Sequence, residues 1–504
     1  MKWLGSVLRK ALIFSALFAV FFFLFVSDWL LNNFGNLTPE SMIFHLRMPL
    51  RGASDSIVFM FIWHAIIPAV ILAAIGLFLY LYSKKRVYHI SFLWREAEKV
   101  VTLHTDKLFR KIALFILITG LISSFVVAAY RLDLPEYIVL AFTDSDFIER
   151  HYVDPRHANI QFPETRRNLI FIYLESAETS FMSVELGGGS ATNLIPELTE
   201  LAQRYVHFSN TDKFGGALQV VGTGWTIAGM FASTAGLPLT LPLDGNAMNR
   251  FEYFAPGVFP LGSILQQEGY NQMLIVGSDA EFGGRYSFFT QHGNYMIRDV
   301  FTAETDGIIS EGRRVWWGFE DMKLYEYAKM QLSYLAALDA PFNLTLLTVD
   351  THHIDGFVCP LCIVYYVRQY NNVIRCGSRQ LYDFITWVQA QDFYENTTIV
   401  ILGDHLSMQP DLPDHLYEGH VRTIYNAIIN SAVETENEKN RIFTKMDFFP
   451  TTLAAMGVTI EGDRLALGVN LFSNLPTFPE IYGLEKFESE LRSRSRFYNS
   501  LLFP

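Results

Sequence analysis

The chain has 504 residues, enough for two or three domains, and its 50% hydrophobic content with 43 phenylalanines points to a part that lies in lipid. A formal charge of −12 leaves no electrostatic case for binding nucleic acid.

Residues 11–27, 57–82 and 112–130 are apolar stretches of roughly spanning length, with His64 the one readily ionisable interruption, so three transmembrane helices are expected. Lys2, Arg9 and Lys10 precede the first, as in a signal peptide. No small-residue cleavage pattern follows, however, and Asp28-Trp29 has interfacial character, so the segment reads as an uncleaved anchor. The loop 83–111 carries Lys84, Lys85, Arg86, Arg95, Lys99, Lys107, Arg110 and Lys111, whereas the loop 32–56 carries only Arg47 and Arg51. The positive-inside rule therefore places the amino terminus and the 83–111 loop in the cytoplasm and everything after about residue 131 outside it. Four segments are expected: a membrane anchor over 1–130, a linker over 131–164, a catalytic domain over 165–475 and a carboxyl-terminal tail over 476–504.

Beyond the anchor, the run Asn168 to Ser176 alternates too little to be half-exposed and reads as a strand buried on both faces that ends on Glu175. A second such run, Thr398 to His405, ends on Asp404 and His405. Sites in open α/β sheets gather at the carboxyl ends of strands, so these two ends can meet. Either acid alone would be read as a cap in a βα loop; Glu, Asp and His together are metal ligands. Between them, residues 196–205 have helical spacing, and a glycine-rich stretch from Gly215 to Gly224 leads to Trp225 and Thr226. Thr226 would open a short helix, where it is either an ordinary cap or, beside a cation, an activated nucleophile for a phosphoryl group.

Two further strands are expected. The one over Met273 to Gly277 leads to Arg285, a cationic fork for a phosphodiester. The one over Asn343 to Asp350 leads to His352 and His353, candidates for phosphate contact or proton transfer. Cys359, Cys362 and Cys376 lie together. In an oxidising compartment that clustering reads as one local disulfide with a thiol left over, Cys362 to Cys376 being the expected pair and Cys359 the alternative partner.

Taken together, Leu174-Glu175-Ser176, Gly224-Trp225-Thr226, Thr351-His352-His353 and Gly403-Asp404-His405 resemble the sulfatase-fold membrane transferases. Those include lipoteichoic acid synthase and a phosphoglycerol transferase acting on periplasmic glucans. Val349 to His353, then Asp355-Gly356, the cysteines and Gly403 to Leu406 are especially similar to the glucan-modifying branch. The resemblance covers about residues 165–410, and Lys445 to Gly457 is similar to a late helix of the fold.

The resemblance implies an α/β fold, with about three transmembrane helices followed by an alkaline-phosphatase/sulfatase-like domain on a mostly parallel central sheet. It implies one divalent metal, Mn2+ or Mg2+, on Glu175, Asp404, His405 and Thr226. Thr226 would be the nucleophile, His352 a substrate-side catalytic histidine and His353 a substrate-binding neighbour. Where lipoteichoic acid synthase has Ser-Phe-Trp-Asn-Arg for its headgroup, this chain has Ser287 to Gln291 without the arginine, so Arg285 or His292 would take that role. The expected protein is a multi-pass bacterial inner-membrane transferase whose catalytic domain is periplasmic. It would move phosphoglycerol from phosphatidylglycerol to a periplasmic glucan through a covalent phospho-threonine. The alternatives are a phosphoethanolamine transferase acting on lipid A or another glycan, and a silent membrane scaffold. The latter is disfavoured because a buried acid set without a cation is costly.

Overall fold

The computed structural model describes residues 2–34, 37–47, 55–83, 88–94, 97–103, 105–241, 253–315 and 317–503. They divide into two compact units, residues 1–37 with 54–136 and residues 38–53 with 137–504.

The first unit contains three helices long and apolar enough to cross a membrane, over Trp3–Phe34, Ile57–Leu81 and Ile112–Arg131. Leu12, Leu79 and Phe115 are exposed, as on helices whose solvent is lipid. Tyr88–Trp94 and Ala97–Leu103 form an antiparallel hairpin within the basic loop.

The second unit is built on a six-stranded sheet. In chain order its strands are β1 (Asn168–Leu174), β2 (Asn271–Val276), β3 (Met296–Arg298), β4 (Phe342–Leu347), β5 (Thr397–Gly403) and β6 (Asn426–Ile429). Across the sheet they run β3-β2-β4-β1-β5-β6, all parallel to their neighbours except β6, which is antiparallel to β5. Because side chains alternate along a strand, β1 splits between two cores. Leu169, Phe171 and Tyr173 face one, into which the Thr226–Ala235 and Phe448–Ala455 helices pack. Ile170, Ile172 and Leu174 face the other, covered by the Pro196–Arg204, Asp321–Ala336 and Gln369–Gln389 helices. Both faces are apolar, which is why the run over 168–174 shows no hydrophobic alternation.

Three expected boundaries differ from those observed. The 131–164 segment is not a free linker, since Phe147 and Ile148 are 3% and 2% exposed within the core. Residues 476–504 are not a tail, because the Phe478–Tyr482, Leu484–Arg492 and Arg496–Leu502 helices bury Phe478, Phe487, Leu491 and Leu502 in that same core. The Pro39–Arg47 helix, in the loop expected to join the first two spans, also belongs to the second unit and buries Phe44 completely. The Pro39–Arg47 and Leu484–Arg492 helices are short, and a few apolar residues at helical spacing are a signal too brief to assign to a domain without a partner surface. Phe487→Ala, which removes a ring only 1% exposed, is expected to destabilise the second unit by about 3–5 kcal/mol. Denaturant unfolding followed by near-ultraviolet circular dichroism measures it, and a shift below about 1 kcal/mol would show the segment to be peripheral.

Candidate active site

The register of the parallel pair builds the centre. β1 and β5 align Leu174 with Gly403, so Glu175 and Asp404 leave the sheet side by side, and the Asp404 N–H donates to the Leu174 carbonyl at 3.1 Å. Ser176 then turns the chain in the left-handed region at φ 57°. Its N–H donates to Asp404 Oδ1 and its hydroxyl to Glu175 Oε1, both at 2.8 Å. His405 donates Nδ1–H to the Leu406 carbonyl at 2.8 Å, which turns Nε2 toward the acids, 3.4 Å from Glu175 Oε1 and 3.3 Å from Asp404 Oδ2. Those separations are longer than charge-assisted hydrogen bonds, which run at about 2.7–2.9 Å.

Glu175, Asp404 and His405 are 3%, 0% and 2% exposed, and Asp404 Oδ2 has no hydrogen-bond partner among the described residues. Burial, and then the charge of Asp404, push the Glu175 carboxyl well above the usual carboxylate range. Two buried carboxylates and an imidazole, with ligand atoms all within 4.8 Å of one another, form a donor set that fits one divalent cation.

Thr226 is the first residue of the Thr226–Ala235 helix, with Trp225 at its cap position. Its half-buried hydroxyl makes no hydrogen bond to the described residues. Thr223, three residues earlier, is fully buried and closes a turn, its hydroxyl donating to the Val220 carbonyl at 2.7 Å. Only the later threonine therefore has an oxygen free for chemistry. Gly229 lets this helix reach the strand end, because a Cβ there would lie 1.9 Å from the Asp404 carbonyl oxygen.

Sequence reasoning missed the clamp at this junction. Lys445 is completely buried, and its Nζ donates to the carbonyls of Thr223 and Asp404, tying the glycine-rich turn to the end of β5. Burial depresses its pKa to about 7. A lone lysine in the apolar run from Ile442 to Met456 was the available signal. A second missed brace is Arg422, which pairs with buried Glu178 at 2.9 and 2.8 Å and donates to the Ser407 carbonyl at 2.7 Å.

His352 and His353 stack with ring centroids 4.5 Å apart, and Trp317 covers the outer face of His352 at 4.5 Å. Burial lowers both imidazoles, that of His352 to about 4, so both rest neutral. Arg285 donates Nη2 to Ser278 Oγ at 3.0 Å and to the Asp279 carbonyl at 2.8 Å, and its Nε has no partner among the described residues. Burial lowers its pKa to about 10 against the attraction of Glu175, Asp279 and Asp404, so it stays charged beside the acids. His292 is placed differently. Its Nε2 is bound to the Phe254 carbonyl at 2.6 Å and its ring packs on Phe288, so these contacts hold it in the core and none reaches the acids. Cys362 and Cys376 are joined with Cα atoms 5.1 Å apart, and Cys359 is free and buried.

Gly229→Ala is expected to displace the Thr226 turn from the acids, since a Cβ there would lie 1.9 Å from the Asp404 carbonyl oxygen and 2.7 Å from Lys445 Nζ, and neither can yield without disturbing the clamp they form. Isothermal titration should show divalent-cation affinity weakened at least 10-fold, about 1.4 kcal/mol, and unchanged affinity would refute the close-approach argument.

Comparison with known proteins agrees with this geometry. A curated phosphoglycerol transferase I of Xanthomonas campestris pv. campestris is 34% identical over 263 residues, 50% of this chain and 36% of that protein. The phosphoglycerol transferase I of Escherichia fergusonii is 32% identical over 275 residues, 53% of this chain and 34% of that one. The matched region thus spans about a third of the length of these curated relatives. Among solved structures, an alkaline phosphatase superfamily protein from Vibrio parahaemolyticus is 20% identical, with a TM-score of 0.51 over 69% of this chain and 79% of its own. Lipoteichoic acid synthase LtaP from Listeria monocytogenes is 17% identical, with a TM-score of 0.50 over 65% and 80%. These two establish likeness of fold. The sulfatase family profile matches residues 167–458, more than half of the chain and a span that includes every residue of the acid cluster, the Thr226 turn and Lys445, and the chain therefore belongs to the sulfatase family.

Proposed function

We propose that the chain is a metal-dependent transferase that moves phosphoglycerol from phosphatidylglycerol to a glycan acceptor, a periplasmic glucan, with Thr226 as nucleophile. The observation that carries this reading is the free hydroxyl of Thr226 at a helix start clamped by Lys445 to the end of β5, where Asp404 and His405 meet Glu175. The names of the curated relatives support the chemistry of the transferred group.

Glu175, Asp404, His405 and Thr226 would hold a divalent cation, Mn2+ or Mg2+, which when bound polarises phosphoryl oxygens and lowers the pKa of a coordinated hydroxyl. The chain's own residues do the rest. The first amides of the Thr226–Ala235 helix favour a phosphate in front of Thr226. Thr226 Oγ gives up its proton and bonds to phosphorus as the phosphorus–oxygen bond to diacylglycerol breaks, and the departing oxygen takes a proton. In the second half an acceptor hydroxyl gives up its proton and bonds to phosphorus as the bond to Thr226 Oγ breaks, and Thr226 Oγ takes a proton back. Arg285, with its free Nε, and the His352–His353 stack would neutralise and orient the headgroup.

The proposed setting is the bacterial inner membrane, with the second unit on the periplasmic side. The lysine and arginine count puts both the 32–56 loop and the chain after residue 131 outside the cytoplasm. The Pro39–Arg47 helix folds into the same unit as the sheet, so both must share a side of the membrane, and this supports the assignment.

Thr226→Ala is expected to abolish transfer, at least about 1,000-fold, while bound metal measured by atomic emission stays near wild type. Thr223→Ala should lower stability by about 1–3 kcal/mol for its lost buried hydrogen bond but keep transfer. Peptide mass spectrometry after incubation with labelled phosphatidylglycerol should find a phosphoglycerol adduct on Thr226; an adduct on His352, or a phosphoethanolamine mass from mixed lipid, would overturn the assignment. Asp404→Ala should remove metal and activity together, and retained metal would count against the ligand set.

A further inference from the structure

The Pro39–Arg47 helix lies in sequence between the first two membrane-length helices, yet it is folded into the second unit and meets the catalytic turn. Phe44 is fully buried with its ring 5.3 Å from that of Trp225, the residue immediately before Thr226. His45 follows, its ring 6.2 Å from the same indole.

The polar atoms of these two rings are informative. His45 Nδ1 lies 2.7 Å from the Ser41 carbonyl, which can only accept, so Nδ1 carries the proton. Nε2 of the neutral ring is then an acceptor, and it has no partner among the described residues. Trp225 is 3% exposed, and its Nε1–H, which can only donate, also has no partner among the described residues. A buried donor left unpaired costs about 1–3 kcal/mol, and such groups persist where a ligand completes them.

One donor and one acceptor on adjacent rings are complementary to a group that both accepts and donates, which is a hydroxyl. We propose that His45 and Trp225 form a subsite for a hydroxyl of the headgroup being transferred, half of it contributed by the segment between the first two membrane-length helices. The proposal rests on the phosphotransfer reading above and adds its specificity. A glycerol headgroup satisfies both atoms, accepting from Trp225 and donating to His45. An ethanolamine headgroup, protonated, only donates and leaves the indole N–H unpaired. A headgroup without hydroxyls leaves both unpaired. Sites built to bond a substrate hydroxyl discriminate strongly against analogues that lack it, for this reason.

The test uses the full-length protein in phosphatidylcholine vesicles containing either phosphatidylglycerol or phosphatidylpropanol, which keeps the phosphodiester and removes both headgroup hydroxyls. The wild type should prefer phosphatidylglycerol in kcat/KM by at least about 10-fold. His45→Ala and Trp225→Phe, the latter retaining the packed ring, should each reduce that preference several-fold, mainly through KM for phosphatidylglycerol, and leave the propanol lipid little changed. A purely structural role would lower both substrates together and keep the ratio, which would overturn the subsite. Thr226→Ala separates the two levels of inference. If that variant transfers normally the phosphotransfer reading fails, whereas if it is inactive and the ratios are wild type in His45→Ala and Trp225→Phe, only the subsite fails.

Discussion

Two carboxylates withdrawn from water at neighbouring strand ends are the constraint on which the rest of the site depends. Glu175 and Asp404 are brought together by the register of β1 against β5, and burial together with the charge of Asp404 raises the cost of ionising Glu175. Desolvating one such charge costs several kcal/mol even after relaxation, so the fold must supply compensation. It does so with hydrogen bonds from Ser176 and with a histidine whose lone pair is turned inward. The remaining deficit is one positive ion at a position three side chains already face. The same deficit makes the centre useful, because a cation held there would stabilise the negative charge that develops on phosphoryl oxygens.

The apparatus around that centre serves to bring one hydroxyl to it. Gly229 removes the Cβ that would hold the Thr226–Ala235 helix away from β5, and the buried ammonium of Lys445 occupies the junction, joined to a carbonyl on each side. Glu178 and Arg422 perform the corresponding task on the other side, fixing the loop after β1 against the chain that follows Asp404. Neutral His352, shielded by Trp317, and charged Arg285 then form a wall of mixed polarity beside the acids. The pattern is electrostatic preorganisation, in which the fold meets the costs of burial before any substrate arrives.

The second unit is assembled from parts distant in sequence. The Pro39–Arg47 helix comes from before two of the membrane-length helices, and the last helices of the chain, Leu484–Arg492 and Arg496–Leu502, close over the same core. Buried Glu40 lies 3.9 Å from Arg492, so the two ends of the chain also meet through charge. A catalytic unit that takes a helix from the loop joining the first two membrane-length helices is tethered at more than one point of its chain.

The sequence by itself determined the local facts. Runs of apolar residues long enough for lipid, strands apolar on both faces, acids at the ends of two such strands and a threonine after a glycine-rich stretch are all written in neighbouring residues, and periodicity reads them directly. The motif resemblance added which of these ends belong together. What only the tertiary structure decided were relations between distant residues. The clamp of Lys445 on Thr223 and Asp404, the ion pair of Glu178 with Arg422 and the contact of Trp317 with His352 each join residues whose own neighbourhoods give no sign of the partner. His292 shows the converse, a residue suited to a site by type and position but held in the core by a carbonyl 38 residues away in sequence. The helices at 39–47 and 484–502 are too short to be stable alone, so their amphipathic pattern acquires meaning only against the surface that buries it. Local chemistry depends on adjacent side chains and is legible in order along the chain, whereas burial and compensation of charge depend on what the fold brings near, and for those the three-dimensional arrangement is the information.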